Sequence, residues 1–383
     1  EYRDVLELAP LPTDPHPDDA VTGFFEGLGE ESATEDHVFL RIDHELGDAD
    51  TISAKYSRAR PFRQIPRVIE SNFRSWDGRI DRLGMNYTHT SPGWSAETRF
   101  GYNSSHTERL DGVFPLGIAG LSIQDFEVSG EILTPSGDIT SLEQIFTTSV
   151  GNHSLKVGGI YTVIRSRREN EELPGFFYTT PADLLANLPS TIHFVTGPEA
   201  YEIRVWQGGI FLQDAFRLAP GLMLNAGIRY DYYAVPQERD DRLGNRNEPL
   251  GLGSLRPPEQ AFIPDYNNFS PRFGLAWSHQ KTVFNAGFGL FHGPTAIQST
   301  VTGLVRDKID GELIAPEVQY GRQEALELGI DYPTGNDEIR EILKSRSTRS
   351  GWVSDPDLAT PYSLQWTVGF QRQLSDSLVW NMA

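Results

Sequence analysis

The chain has 383 residues and a formal charge of -20, from 33 Lys and Arg against 53 Asp and Glu. That charge opposes non-specific binding to nucleic acid, and no continuous apolar run reaches the 18 or so residues of a transmembrane helix. Cys is absent, which excludes a disulfide framework, thiol catalysis and Cys-containing zinc sites.

A mean hydropathy of -0.39 is compatible with a membrane-spanning β-barrel, because only alternate residues of each strand face lipid. Residues 1–35 carry neither the charged n-region nor the apolar h-region of a secretion signal, so any such signal lies upstream or has been removed. They read as an irregular linker ahead of a barrel domain over 36–383. Asp14, His16, Asp18 and Asp19 could bind a divalent cation through hard oxygen ligands, but a Pro-broken acidic terminus reads first as a linker.

From Asp36 onward, long alternating segments are joined by tight turns. These lie at Gly47 to Asp50, Ser91 to Gly93, Gly151 to His153, Ala219 to Gly221, His279 to Lys281 and Ser375 to Ser377. Gly, Pro, Asn, Asp and Ser suit such turns because they permit positive φ, preset φ or bond their own backbone. Six hairpins, and so about twelve strands, follow from this spacing.

In the second hairpin Leu83, Met85, Tyr87 and His89 share a face, as do Trp94, Ala96, Thr98, Phe100 and Tyr102 after the turn. Trp94 then lies in a lower aromatic girdle. In the fourth, Leu222, Leu224, Ala226, Ile228, Tyr230 and Tyr232 alternate with Met223, Asn225, Gly227, Arg229 and Asp231. Soluble strands run to about five or six residues, whereas a tilted spanning strand needs about nine to eleven. At roughly 2.3 Å of climb per residue, Tyr230 and Tyr232 stand roughly 18 to 23 Å above Leu222, the height of an upper girdle.

The fifth hairpin sets Phe269, Phe273, Leu275 and Trp277 against Asn268, Ser270, Arg272 and Gly274, and then Phe284, Ala286, Phe288 and Leu290 alternate. The last sets Leu364, Trp366, Val368 and Phe370 against Gln365, Thr367, Gly369 and Gln371. The pattern breaks at Asp214, which shares a face with Trp206, Ile210, Leu212 and Phe216. Near the periplasmic interface that carboxylate costs only about 0 to 1 kcal/mol; a bulge is the other explanation.

Connections between hairpins are long, at roughly 60–78, 107–140, 167–201, 234–267 and 293–361. Strict alternation of short turns and long loops is the topology of an outer-membrane barrel, with turns in the periplasm and loops outside the cell. Two loops are expected to carry short helices: Pro181 to Leu188, capped by Thr180, and Asn336 to Lys344, with Ile339, Ile342 and Leu343 at helical spacing. Ile123 to Leu133 is strand-like, but a full span there would upset the parity, so it is assigned to an extracellular loop.

Five segments carry a family resemblance: DHVFLRIDHELGDADTISAKYS (36–57), GNHSLKVGGIY (151–161), GIFLQDAFRLAPGLMLNAGIRYDYY (209–233), NNFSPRFGLAW (267–277) and TPYSLQWTVGFQRQLSDSLVW (360–380). Together they resemble the β-barrel of TonB-dependent outer-membrane transporters, in particular the Oar-like group with an N-terminal carboxypeptidase-regulatory-like domain, over about residues 35–383. The resemblance implies a transmembrane antiparallel up-and-down β-barrel of about 22 strands around a plug. It further implies import of scarce ligands with energy from a TonB-type inner-membrane complex that grips an N-terminal box. No box or plug can be placed within residues 1–35, and about twelve strands are roughly half such a barrel, so the chain reads as an internal piece of a larger receptor.

Expected partners are outer-membrane lipid and lipopolysaccharide, the TonB-type complex through a region outside this chain, and a transported ligand of unknown identity. Arg229, Asp231 and Arg272 are candidate lumen residues that could touch a plug or line a path, with mutual pairing as the plainer role. Glu169, Glu171 and Glu172, after Arg165, Arg167 and Arg168, open a long loop that could contact ligand or bridge ions on lipopolysaccharide; a solvated loop is the plainer reading. Gly287, Gly289 and Gly293 miss dinucleotide spacing and read as close packing.

The nine His have no ligand spacing and no Ser sits in a nucleophile elbow, so no enzyme activity and no catalytic, cofactor or metal site is expected. Ligand-binding residues are not assignable from motifs; binding is expected in loops 167–201 and 293–361. A passive outer-membrane barrel or surface adhesin, and a soluble β-rich carbohydrate-binding protein, remain as alternatives.

Overall fold

The computed structural model describes residues 11–15, 23–66, 73–111, 120–123, 126–128, 131–172, 174–195, 199–244, 262–294, 304–305, 308–309, 312–313, 317–332, 334–344 and 355–382. Twelve strands form an antiparallel meander in chain order. They are β1 (Ser32–Glu45), β2 (Asp50–Pro66), β3 (Phe73–Ser91), β4 (Trp94–Asp111), β5 (Glu131–Val150), β6 (His153–Glu172), β7 (Ala200–Ala219), β8 (Leu222–Tyr233), β9 (Phe269–His279), β10 (Thr282–His292), β11 (Tyr362–Ser375) and β12 (Leu378–Met382). All six expected hairpins are present. Among the described residues the sheet is open, with β1 and β12 at its edges.

Antiparallel partners share a face, so the register carries the alternation of one strand around the whole wall. One row reads Ala54, Met85, Phe100, Leu142, Tyr161; the row beside it, on the opposite face, reads Lys55, Gly84, Gly101, Ser141, Thr162. On the apolar face Ile210 is 66% and Trp366 75% exposed, the state of side chains whose neighbour is hydrocarbon. We call this the outer face.

Its aromatic residues gather at two heights, as expected. Near the turns Trp94 stacks on Phe146 at 5.5 Å and Trp277 on His279 at 5.9 Å. Near the loops Trp206 meets Tyr232 at 5.0 Å and Tyr230 meets Phe269 at 4.8 Å. Asp214 is explained by neither a bare carboxylate nor a bulge at its own position. Its Oδ2 lies 2.6 Å from Nδ1 of His153, whose ring stacks on Phe216 at 4.2 Å, and the nearest irregularity falls between Arg217 and Ala219.

The strands are longer than alternation of apolar residues indicates. β5, β6 and β7 have 20 residues each, and the first three connections shrink to 67–72, 112–130 and 173–199. Above the bilayer a strand needs its ladder but no apolar face, and cross-strand ion pairs take over: Arg58 to Asp81 at 2.6 Å and Arg165 to Asp138 at 3.3 Å. Glu169, Glu171, Glu172 and the preceding arginines therefore lie on β6 and not in a loop. Ile123 to Leu133 is divided, since Ile123 ends a short strand outside the wall whereas Ile132 and Leu133 belong to β5.

Two turn glycines show different requirements. Gly93 has φ +91° and open space around it; Gly221 has φ +78°, and a Cβ there would run into the carbonyl oxygen of Ser278. Gly93→Ala is expected to cost about 1 kcal/mol from its backbone conformation alone. Gly221→Ala should cost distinctly more, read as a lower urea midpoint and a smaller heat-shifted band on unboiled gels; equal losses would refute the packing argument.

Candidate functional site

The inner face is thinned by glycine. Gly84, Gly101, Gly158, Gly227, Gly274 and Gly287 all point inward, and larger neighbours lie flat across several such positions. The Phe211 ring comes within 2.7 Å of where a Cβ of Gly158 would stand, and Phe291 within 2.7 Å at Gly289. Close packing is thus what Gly287 and Gly289 do, with Thr367 3.1 Å from the Cβ position of the former; Gly293 has open space around it.

Over this thinned wall lies a cavity of about 450 Å³ whose lining includes Lys156, Gln213, Asn225, Arg229 and Arg272. Of the three expected lumen residues, Arg229 and Asp231 pair at 2.7 Å, with Asp231 buried. Arg272 joins them only through the cavity. Its guanidinium sits 4.4 Å from the centre of the Phe291 ring, and among the described residues neither it nor Lys156 has a carboxylate within ion-pair distance. The cavity is therefore cationic.

Beyond the wall, three connections fold together. A five-stranded sheet runs in the order Glu317–Gly321, Thr191–Val195, Gly175–Tyr178, Gly120–Ile123, Phe126–Val128, drawing strands from 112–130, 173–199 and 293–361. Three helices accompany it: α1 (Pro181–Leu185), α2 (Arg322–Leu328) and α3 (Asn336–Lys344). Phe176, Ile192, Phe194, Ile330 and Ile339 are fully buried there, and Phe176 meets Tyr332 edge-on at 5.5 Å. This extracellular cap has its own core.

Helix α3 has the expected bounds; α1 stops at Leu185, three residues early. Thr180 caps α1 as expected, accepting from Asp183 N at 3.2 Å. The chain leaves α1 through Asn187, at φ +51°, whose side chain donates to Tyr332 O at 2.8 Å and accepts from the Tyr178 hydroxyl at 2.8 Å. Arg322 of α2 pairs with Asp183 at 2.8 Å. The two loops singled out for binding are therefore bonded to each other. The cap sheet itself was missed by sequence reasoning, although Phe176 with Tyr178 and Ile192 with Phe194 keep a two-residue period. Helix α2 was missed too.

The fourth connection folds against the wall. Ile203 and Val205 of β7 are buried with Leu243, Phe262, Leu304 and Val305. The buried Glu238 carboxylate accepts from the backbone N–H of Asp240 and of Arg242 at 2.9 and 3.0 Å, and from the Arg242 guanidinium at 2.9 Å. In the N-terminal acidic cluster Asp14 bridges to Phe24, while His16, Asp18 and Asp19 lie outside the described residues.

The sequence matches the outer membrane beta barrel domain family over residues 2–383. The chain belongs to that family. It is a β-barrel protein of the bacterial outer membrane, which removes the soluble carbohydrate-binding alternative. Among solved structures, the ferric enterobactin receptor PfeA of Pseudomonas aeruginosa is similar at 12% identity and TM-score 0.50, over 96% of this chain and 44% of that one. The ferripyoverdine receptor of the same organism gives 11% identity, 90% and 48% coverage and TM-score 0.49; the copper transporter OprC gives 12%, 90% and 43%, and 0.49. This chain thus spans less than half the length of each, and at such identity the first likeness speaks to fold alone. No curated protein matches.

Phe176→Ala is expected to destabilise the cap by about 3 to 5 kcal/mol, exposing 173–199 to limited proteolysis while the barrel keeps its heat-shifted band. The Thr180 hydroxyl, followed by the Arg322 guanidinium, holds the Asp183 carboxyl below the usual carboxylate range. A depressed carboxylate contributes fully above its unfolded value, about 3.9, and is lost as pH falls through the lower folded value. Hydrogen-exchange protection factors at 181–188, corrected for the intrinsic pH dependence of exchange, should therefore be steady from about pH 7 to 5 and fall only below about 4. In Arg322→Ala the loss of protection should be smaller and should level off at a higher pH, because the folded value lies closer to the unfolded one.

Proposed function

We propose that this chain supplies wall and loops of a TonB-dependent receptor that imports a ligand across the outer membrane with energy from an inner-membrane complex. In this reading residues 1–35 connect to upstream parts and 36–383 form wall and cap, set in lipid and lipopolysaccharide. The observation that carries it is the bonded union of loops 173–199 and 293–361 through Thr191–Val195 and Glu317–Gly321. A passive pore needs no ordered domain over its mouth, whereas a receptor gains affinity when its binding surface is formed before the ligand arrives. Binding belongs at the cap surface and transit along the inner face, past Lys156, Arg229 and Arg272. The cationic lining suits a ligand or plug surface that carries negative charge.

The full-length protein should be tested against ferric enterobactin, ferripyoverdine and copper, which the similar receptors are named for. Removing residues 317–344 should lower binding of the recognised compound by at least about tenfold while leaving the heat-shifted band intact. Uptake should cease when the inner-membrane coupling complex is deleted. Uptake that persists without coupling would favour the passive barrel instead.

A further inference from the structure

Two bore-facing positions near the top of β7 are apolar. Ile203 and Val205 alternate with Arg204 and Trp206 of the outer face, and Val205 lies opposite Ile164, eleven residues along β6 from His153. At roughly 2.3 Å of climb per residue that is roughly 25 Å, the top of the apolar band. Both side chains therefore stand at the bore mouth, on the watered side of the wall, where an apolar surface needs a cover.

The cover comes from two connections at once. Leu243 and Phe262 of the fourth and Leu304 and Val305 of the fifth are buried against Ile203 and Val205. Leu243 faces Val305 across an antiparallel bridge, and Gly244 N–H donates to Leu304 O at 2.8 Å. The preceding residue, Arg242, anchors this stretch to β7: its guanidinium donates to Ala200 O at 2.8 Å and to the buried Glu238 carboxylate at 2.9 Å. Farther along, Ile263 N–H donates to Pro356 O at 2.7 Å and Thr360 N–H to Asp265 Oδ2 at 2.8 Å. The fourth and fifth connections are thus sutured to each other over this side of the mouth.

The wall does not depend on the cover. Ile203 and Val205 keep their ladder partners Ser166 and Ile164 on β6, so lifting the four side chains breaks apolar contacts and one bridge but no pairing between β6 and β7. What the cover does is shield. The cationic cavity lies on the same face of β7, with Gln213 of its lining eight residues below Val205, roughly 18 Å. A solute descending this face from outside meets the apolar cover before it meets Lys156, Arg229 or Arg272.

We propose that Leu243, Phe262, Leu304 and Val305 form an autoinhibitory stopper. Seated, it closes the extracellular approach to the cationic cavity along β7; lifted, it opens that approach. A charged solute cannot pass between these side chains and the wall without losing its water, so the seated state excludes it. Apolar contact is non-directional, and local opening of this kind belongs to connections and not to a spanning ladder. The inference rests on the orientation of β7 and is independent of energy-coupled import.

The test uses the full-length protein in intact cells, with Gln213→Cys as reporter and a membrane-impermeant maleimide added outside. Labelling at position 213 is followed by peptide mass spectrometry. Leu304→Ser removes apolar surface from the stopper, leaves β7 unchanged and should speed labelling at least about tenfold. Leu243→Cys with Val305→Cys, opposed in the bridge, should form a disulfide on oxidation and slow labelling at least about tenfold relative to the same variant kept reduced. If Leu304→Ser gives no heat-shifted band, the disulfide pair decides, because it joins residues that already face each other. Equal rates in the oxidised, reduced and Leu304→Ser proteins would overturn the proposal, as would absence of labelling in all three. Labelling requires neither a transported ligand nor the coupling complex, so its outcome is separate from failure of the transport reading.

Discussion

In hydrocarbon an unpaired backbone amide costs several kcal/mol, and this cost governs the rest of the molecule. It demands an unbroken ladder from β1 to β12, and an unbroken ladder fixes the face of every residue on the wall. Register shifts are confined to the turn ends of β7 and β11, beside Ala219 and Ser375. Everything that distinguishes inside from outside, including the two aromatic girdles and the cationic cavity, is a consequence of that continuity.

Outside the bilayer water satisfies the backbone, and the constraint relaxes. There the chain stores three connections in a cap whose stability comes from its own buried Phe176, Phe194 and Ile339, not from lipid. The cap and wall are therefore stabilised by different physics. The wall depends on hydrogen bonds that have no alternative partner; the cap depends on apolar burial and a few polar clasps such as Asn187 to Tyr332. Solvent changes that loosen one need not loosen the other.

This division explains what could be read in advance. Hairpins, faces, girdles and strand number were legible because lipid imposes a strict two-residue alternation, and the lumen positions of Arg229, Asp231 and Arg272 followed from it. Strand ends were misjudged where charge pairs such as Arg58 with Asp81 replace apolar side chains, since a polar ladder has no hydropathy signature. The cap sheet was missed because its strands, each three to five residues long and drawn from three separate loops, acquire meaning only when paired across the sequence. Asp214 was legible as an anomaly but not as a pair, because His153 lies on the preceding strand of the wall, some sixty residues earlier in the chain.

The glycines of the inner face have a kinetic consequence. Where the wall shows backbone, a passing molecule meets polar groups that are fixed in place and have no rotamers to freeze. Only glycines that no neighbouring side chain covers, such as Gly84, contribute in this way; at Gly158 and Gly289 an aromatic ring lies over the backbone instead. In the transit we propose, release from Lys156, Arg229 and Arg272 would then be the slow step along this face.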